Sequence, residues 1–198
     1  MLFSFMRSEW AIYHPTVWRT CRALMNERRL RCLAAVLDKP GIAVKEVAVE
    51  TGLPQNQASM NLRMLQARGL ITARRHGKWL RYDPEPDPLV EHANAMLKAI
   101  RRECAAGECA LSRICRTLRA FTHARRLTIL HVLARHPDST AETIVAMTRI
   151  SQPAVCRHLT TLRRSGVVGL TREGAWRFTV PRKQSALARA LLALIDTR

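Results

Sequence analysis

Apolar residues recur at helical spacing along most of the chain, and at two places this gives way to strict alternation. In the first half, Val17, Cys21 and Leu24 share one helical face, and Pro15 suits the first turn of that helix. Leu30, Leu33 and Val36 mark a second helix, with Pro40 just beyond its end. A short helix "VKEVAVET", a tight turn "GLP" and a longer helix "QNQASMNLRMLQARG" follow. After Gly69 the period becomes two: "LITARRHGKWLRYDP" reads as two short strands hinged at Gly77, where a positive φ is needed. Leu89, Ala93, Met96, Leu97 and Ile100 then form the stripe of a closing helix.

The second half repeats this order. Aligning Arg28 with Arg125, an offset of 97 residues, also brings Arg29, Leu30, Leu33, Pro40, Thr51, Gln55, Leu62, Leu65, Gly69, Arg75, Gly77, Trp79 and Pro84 onto identical residues. The register needs no gap, and about a quarter of the aligned positions are identical, well above what shared composition gives. The period is that of a domain and not of a solenoid repeat. Leu111, Ile114, Cys115 and Leu118 restate the first helix, and "AETIVAMT", "RIS" and "QPAVCRHLTTLRRSG" restate the helix, turn and longer helix. "VVGLTREGAWRFTVP" restates the hairpin, hinged at Gly174, and Leu187, Leu191, Leu194 and Ile195 restate the closing stripe. The sequence therefore predicts a first domain over 9–102, a joint over 103–110 ("ECAAGECA") and a second domain over 111–198.

The expected fold is mainly α with small β-hairpins: two tandem winged helix-turn-helix domains. In such a domain the longer helix enters the major groove of DNA while its apolar stripe holds it to the core. In the second half Val155, Leu159 and Leu162 face inward, leaving Gln152, Ala154, Arg157, His158 and Thr161 for DNA. Gln152 suits adenine, Arg157 guanine or a phosphate, and His158 and Thr161 phosphates or a base edge. In the first half Ala58, Leu62 and Leu65 face inward, while Gln55, Asn56, Gln57, Ser59, Met60, Asn61 and Arg63 are presented. Arg74, Arg75 and Lys78 surround one hairpin tip and Arg172 and Arg177 the other, placed for phosphates or a narrow minor groove. The tryptophans of the two hairpins, Trp79 and Trp176, are expected to pack within them.

The stretches "TGLPQNQASMNLRMLQARGLI" and "RRHGKWLRY", and more strongly "AFTHARRLTIL", "ISQPAVCRHLTTLRRSGVV" and "REGAWRF", resemble the ArsR-type family of winged-helix transcriptional repressors, once per half. The resemblance implies dimerisation through the first and last helices of each domain. Their apolar stripes exceed what one small domain buries, so a partner surface is expected. The other half of the chain fills that role in an intramolecular pseudo-dimer, and a homodimer with four winged helices is the alternative. The resemblance leaves metal sensing without its usual residues: the helices "VKEVAVET" and "AETIVAMT" contain no Cys or His.

Composition changes the picture in one direction. A net charge of +18 over 198 residues points to a polyanion, and double-stranded DNA fits the helix pattern best. Both halves are basic, the second more so. No stretch reads as a membrane span, and the opening "MLFSFMRSEW" lacks the form of a signal peptide, so a cytoplasmic protein is expected.

Six cysteines are scattered without a CxxC pair. Cys21 and Cys32 align with Leu118 and Ile129, and Cys115 with Trp18, as small core residues do. Cys156 stands where the first half has Ser59. Cys104, Cys109 and Cys115 match no standard zinc spacing and no fourth ligand is evident, so no metal site and no cofactor are expected, while a metal or redox role for these three thiols stays open. Paired carboxylates or a nucleophile with its base are not evident, which argues against an enzyme. The sequence thus favours a transcriptional regulator with two unlike recognition helices on an imperfect palindrome. The alternatives are a non-specific architectural DNA-binding or RNA-binding protein and a protein-interaction scaffold.

Overall fold

The computed structural model describes residues 17–77, 79–105 and 110–196. The chain is mainly helical with two small antiparallel hairpins. Residues 17–24 form helix α1. Then come α2 (Glu27–Asp38), β1 (Ile42–Ala43), α3 (Val44–Thr51), α4 (Gln55–Gln66), β2 (Thr72–His76), β3 (Trp79–Asp83) and α5 (Ala93–Cys104). The second series is α6 (Ala110–Ala120), α7 (Ala124–Arg135), α8 (Ala141–Thr148), α9 (Gln152–Arg164), β4 (Gly169–Glu173), β5 (Ala175–Thr179) and α10 (Ala186–Asp196). The described residues divide into two compact units: 23–105 with 110–115, and 17–22 with 116–196. Pro15, Lys78 and Cys109 lie outside the described residues.

In the first unit α2 starts at Asn26, whose Oδ1 accepts the Arg29 N–H at 3.1 Å, one of the four donors a helix start leaves unpaired. It buries Leu30, Cys32, Leu33 and Val36. α3 ends at Gly52, where φ is +66°, and α4 then buries Ala58, Leu62 and Leu65 as its periodicity predicts. Ile42 of β1 pairs with Tyr82 of β3, and the sheet order is β1-β3-β2, which seals the fully buried Tyr82 ring under the hairpin. Leu89 departs from expectation. It lies in the turn before α5 and is 91% exposed, because the helix begins only at Ala93 and leaves Leu89 off its buried stripe.

The second unit reuses several of the same fastenings. Arg29 donates to the carbonyl of Ala23 at 2.5 Å, and Arg126, 97 residues later, donates to that of Ala120 at 3.1 Å. Thr51 and Thr148 each return a hydroxyl to the carbonyl four residues back, Val47 and Ile144, at 2.7 Å in both cases. α2 and α7, α3 and α8, and β2 and β4 have bounds that differ by the same 97 residues. Arg149 adopts the left-handed backbone, φ +56°, where the first unit has Gly52.

The hairpins differ by one residue of register. His76 pairs with Trp79 across the first turn, whereas Glu173 pairs with Ala175 across a single residue, Gly174, in the second. A slip of one residue re-aims every side chain on a strand. Trp176 therefore faces Arg172 across the ladder, with the guanidinium 5.3 Å from its ring centre, while Trp79 faces His76. Neither tryptophan packs inside its hairpin: they are 52% and 54% exposed, because both sit within two residues of the turn, beyond the core.

Gly69 and Gly166 close the longer helices with φ of +68° and +78°. A Cβ at Gly69 would meet Val90 Cγ2 at 2.7 Å, whereas one at Gly166 meets nothing within 4 Å. Gly166→Ala is expected to cost only the left-handed backbone penalty, about 1 kcal/mol, and Gly69→Ala to cost more because Val90 must also move. Urea unfolding of the two variants checks the order.

Candidate nucleic-acid interface

The helix-turn-helix of the second unit is built by local chemistry. α8 is capped by Thr140, whose Oγ1 accepts the Thr143 N–H at 3.3 Å. At its far end Arg149 turns the chain, and Ile150 N–H returns to Thr148 Oγ1 at 3.3 Å. α9 then begins with Pro153 in its first turn, a position where a missing N–H costs nothing. Val155, Leu159 and Leu162 are 0–2% exposed and fix the rotation of α9 about its own axis. Gln152, Arg157, Cys156 and Thr160 consequently lie on its exposed side. Ala154, expected to face DNA, is instead 3% exposed: the apolar stripe is one residue wider at the start of the helix than the three anchors imply. Thr161 is half-buried and its hydroxyl donates to Arg157 O at 3.1 Å.

His158 sits on the border between the two faces. Its ring lies 4.9 Å from that of His123, tilted by 44°. Burial and then the charges of His123, Arg126, Arg125 and Arg157 push its pKa down to about 4, so the ring is neutral at pH 7. Burial, Arg126, Arg125 and Arg22 lower that of His123 as well.

On α4, Gln55, Asn56, Met60 and Arg63 are exposed, and Ser59 and Asn61 are half-buried. Asn56 Oδ1 accepts the Gln57 N–H at 2.8 Å, and Gln57 accepts from Arg28 at 3.3 Å, so this face is more internally satisfied than that of α9. Neither α4 nor α9 contains an Asp or Glu. Their outer faces carry dipoles and positive charge only, which suits a polyanion.

The wing residues divide. Arg75 is exposed, and Arg172 is exposed over Trp176. Arg74 is engaged by Glu85 at 2.5 Å, an exposed ion pair of the kind that contributes little and that a phosphate could displace. Arg177 turns back from the tip, donating to the carbonyl of Asp138 at 3.1 Å, because its place in the shifted ladder puts it beside that loop. The position of Lys78 lies outside the described residues. Arg163 and Arg164 are also exposed, at the end of α9, two basic residues that the helical stripe alone does not single out.

The described geometry of α7, α8, α9 and β4 is that of a winged helix-turn-helix. Residues 122–175 match the MarR family. That family's domain is a winged helix-turn-helix, and the match supports a DNA-binding transcriptional regulator. It covers the second unit's helix-turn-helix and first wing strand, less than half of the chain, and it names a different family from the ArsR type that the sequence motifs resemble. No curated protein matches the chain. Among the described residues no helix is long and apolar enough to cross a membrane.

Cys21 and Cys32 are buried, and burial pushes both thiols up, away from reactivity. Cys156 is exposed on α9, and Cys104 and Cys115 are half-buried.

Proposed function

We propose that the chain is a sequence-specific transcriptional repressor made of two tandem winged helix-turn-helix domains, over 9–102 and 111–198, of the ArsR type its motifs resemble. In this reading the two domains act as an intramolecular pseudo-dimer. α4 and α9 read two unlike half-sites about one helical turn, roughly 34 Å, apart, so the operator is an imperfect palindrome. Gln152 reads a base edge on one half-site and Gln55 on the other, while Arg75 and Arg172 hold the backbone or a narrow minor groove beside them.

The observation that carries this reading is the outer side of α9. Gln152, Arg157 and Thr160 stand exposed there on a helix without a carboxylate, anchored by three buried apolar residues, in a chain of net charge +18. The common 97-residue offset of elements and bonds supports the duplication, and the MarR-family match supports the regulatory class.

The test is fluorescence anisotropy with a selected duplex and a mixed-sequence duplex over a range of salt. The reading expects a preference of about a thousandfold or more for the selected duplex and a linear fall of log affinity with log salt. Equal affinity for both duplexes would replace it with the non-specific architectural or RNA-binding alternative.

A further inference from the structure

A concentration of positive charge lies where α7 begins beside the middle of α9, away from the base-reading turn. His123 stands immediately before α7 and accepts the Arg125 N–H on Nδ1 at 3.1 Å, so in the neutral ring the proton resides on Nε2. The His158 ring is 4.9 Å away. Arg126 is held by two neutral oxygens, Ala120 O at 3.1 Å and Thr122 Oγ1 at 2.5 Å. Arg22, Arg125 and Arg157 are exposed. Every charged group that bears on the two rings among the described residues is a cation: Arg22 from α1, Arg125 and Arg126 from α7, and Arg157 from α9. Folding gathers like charge here without an acidic counterpart, an arrangement that opposes the folded state until an anion joins it.

The first unit supplies an internal comparison. At the 97-residue offset His123 becomes Asn26, His158 becomes Asn61 and Arg157 becomes Met60, while Arg125 and Arg126 remain Arg28 and Arg29. Arg28 there is engaged by Gln57. Both titratable rings are thus replaced together by neutral amides, and the exposed Arg157 beside them gives way to Met60.

We propose that His123, His158, Arg125 and Arg157 form a clamp for one DNA backbone phosphate, closed by uptake of a proton from solvent onto His158 while His123 stays neutral and donates from Nε2, and present in the second half only. The proposal rests on the DNA-binding reading above. Duplex is the source of the phosphate because Arg157 and His158 belong to the helix whose exposed side carries the reading residues. A phosphodiester keeps its negative charge throughout pH 5–8, so the titrating partner is the protein.

The sign follows from the free ring, which stays neutral through this range because its pKa lies well below the ordinary histidine value. A bound phosphate favours the charged ring, so binding tightens as pH falls. Returning one imidazole to the ordinary value strengthens affinity about tenfold between pH 7.5 and 5.5.

The experiment is a histidine-ring NMR titration of the full chain alone, with a short mixed-sequence duplex, and with inorganic phosphate, alongside duplex anisotropy at both pH values for the native chain and His123→Asn/His158→Asn. The clamp expects the His158 ring to titrate at higher pH when duplex is bound, a rise in affinity of about tenfold from pH 7.5 to 5.5, and a flattened pH profile in the variant. Rings that titrate alike with and without bound duplex would overturn it, as would inorganic phosphate moving them when duplex does not. Failure of any duplex to bind would remove the DNA-binding reading itself, an outcome distinct from unchanged rings in a complex that forms.

Discussion

Arg157→Ala is expected to weaken binding to every duplex, selected or not, by about ten- to a hundredfold, and to lower the salt slope by about one. The reason is positional. Arg157 is exposed on α9, next to His158 of the His123–His158 pair, and in the proposed reading its guanidinium meets a backbone phosphate whatever the base sequence. Gln152→Ala is the complementary variant. Gln152 is exposed at the start of α9, in the turn that the proposed reading sets against base edges, so its loss is expected to cost about 1–3 kcal/mol on the selected duplex and little on a mixed one. Anisotropy on both duplexes separates a residue that holds from a residue that reads. Equal losses for the two variants on both duplexes would contradict this division of labour.

The largest expected effect on stability comes from the inner side of the same helix. Leu162 is fully buried in α9, next in the stripe after Val155 and Leu159. Leu162→Ala is expected to destabilise the second unit by about 2–5 kcal/mol, the lost transfer of the side chain plus the cavity left behind. Leu65, at the equivalent place in α4, is likewise buried, and Leu65→Ala should do the same to the first unit. Val49 is apolar but 76% exposed, and Val49→Ala should change stability by less than about 0.5 kcal/mol. Urea unfolding monitored by circular dichroism measures all three. Because α9 is held in its rotation by these leucines, Leu162→Ala should also weaken duplex binding at temperatures where the unit stays folded.

The helical part of the fold was legible because each helix carries a stripe that has only one way to be buried. Leu30, Leu33 and Val36, or Val155, Leu159 and Leu162, leave no choice of face, and Gly69 and Gly77 mark turns that need a positive φ. The hairpins were legible as hairpins but not in register. A turn closed across Gly174 alone and one that also spans position 78 have the same alternating signature, yet the difference moves Trp176 opposite Arg172. The exposure of both tryptophans was hidden for the same reason: alternation says which residues share a face, not how far along the hairpin the core reaches. Arg74 and Arg177 were readable as basic, but their partners, Glu85 and the Asp138 carbonyl, lie 11 and 39 residues away and enter only with the tertiary fold. The pairing of His123 with His158 is of this kind too. The sequence offers His158 as a candidate DNA contact and gives no sign of His123 beside it; only packing brings the two rings together.

The most direct measurement of the central claim, that the outer sides of α4 and α9 read DNA, is selection of bound duplexes from a random-sequence library by the full chain. The account predicts one enriched two-part motif with unlike halves about one helical turn apart, and loss of the preference in one half alone when Gln152 is replaced by Ala. A library that emerges with no enriched motif, or a motif untouched by that replacement, would contradict it.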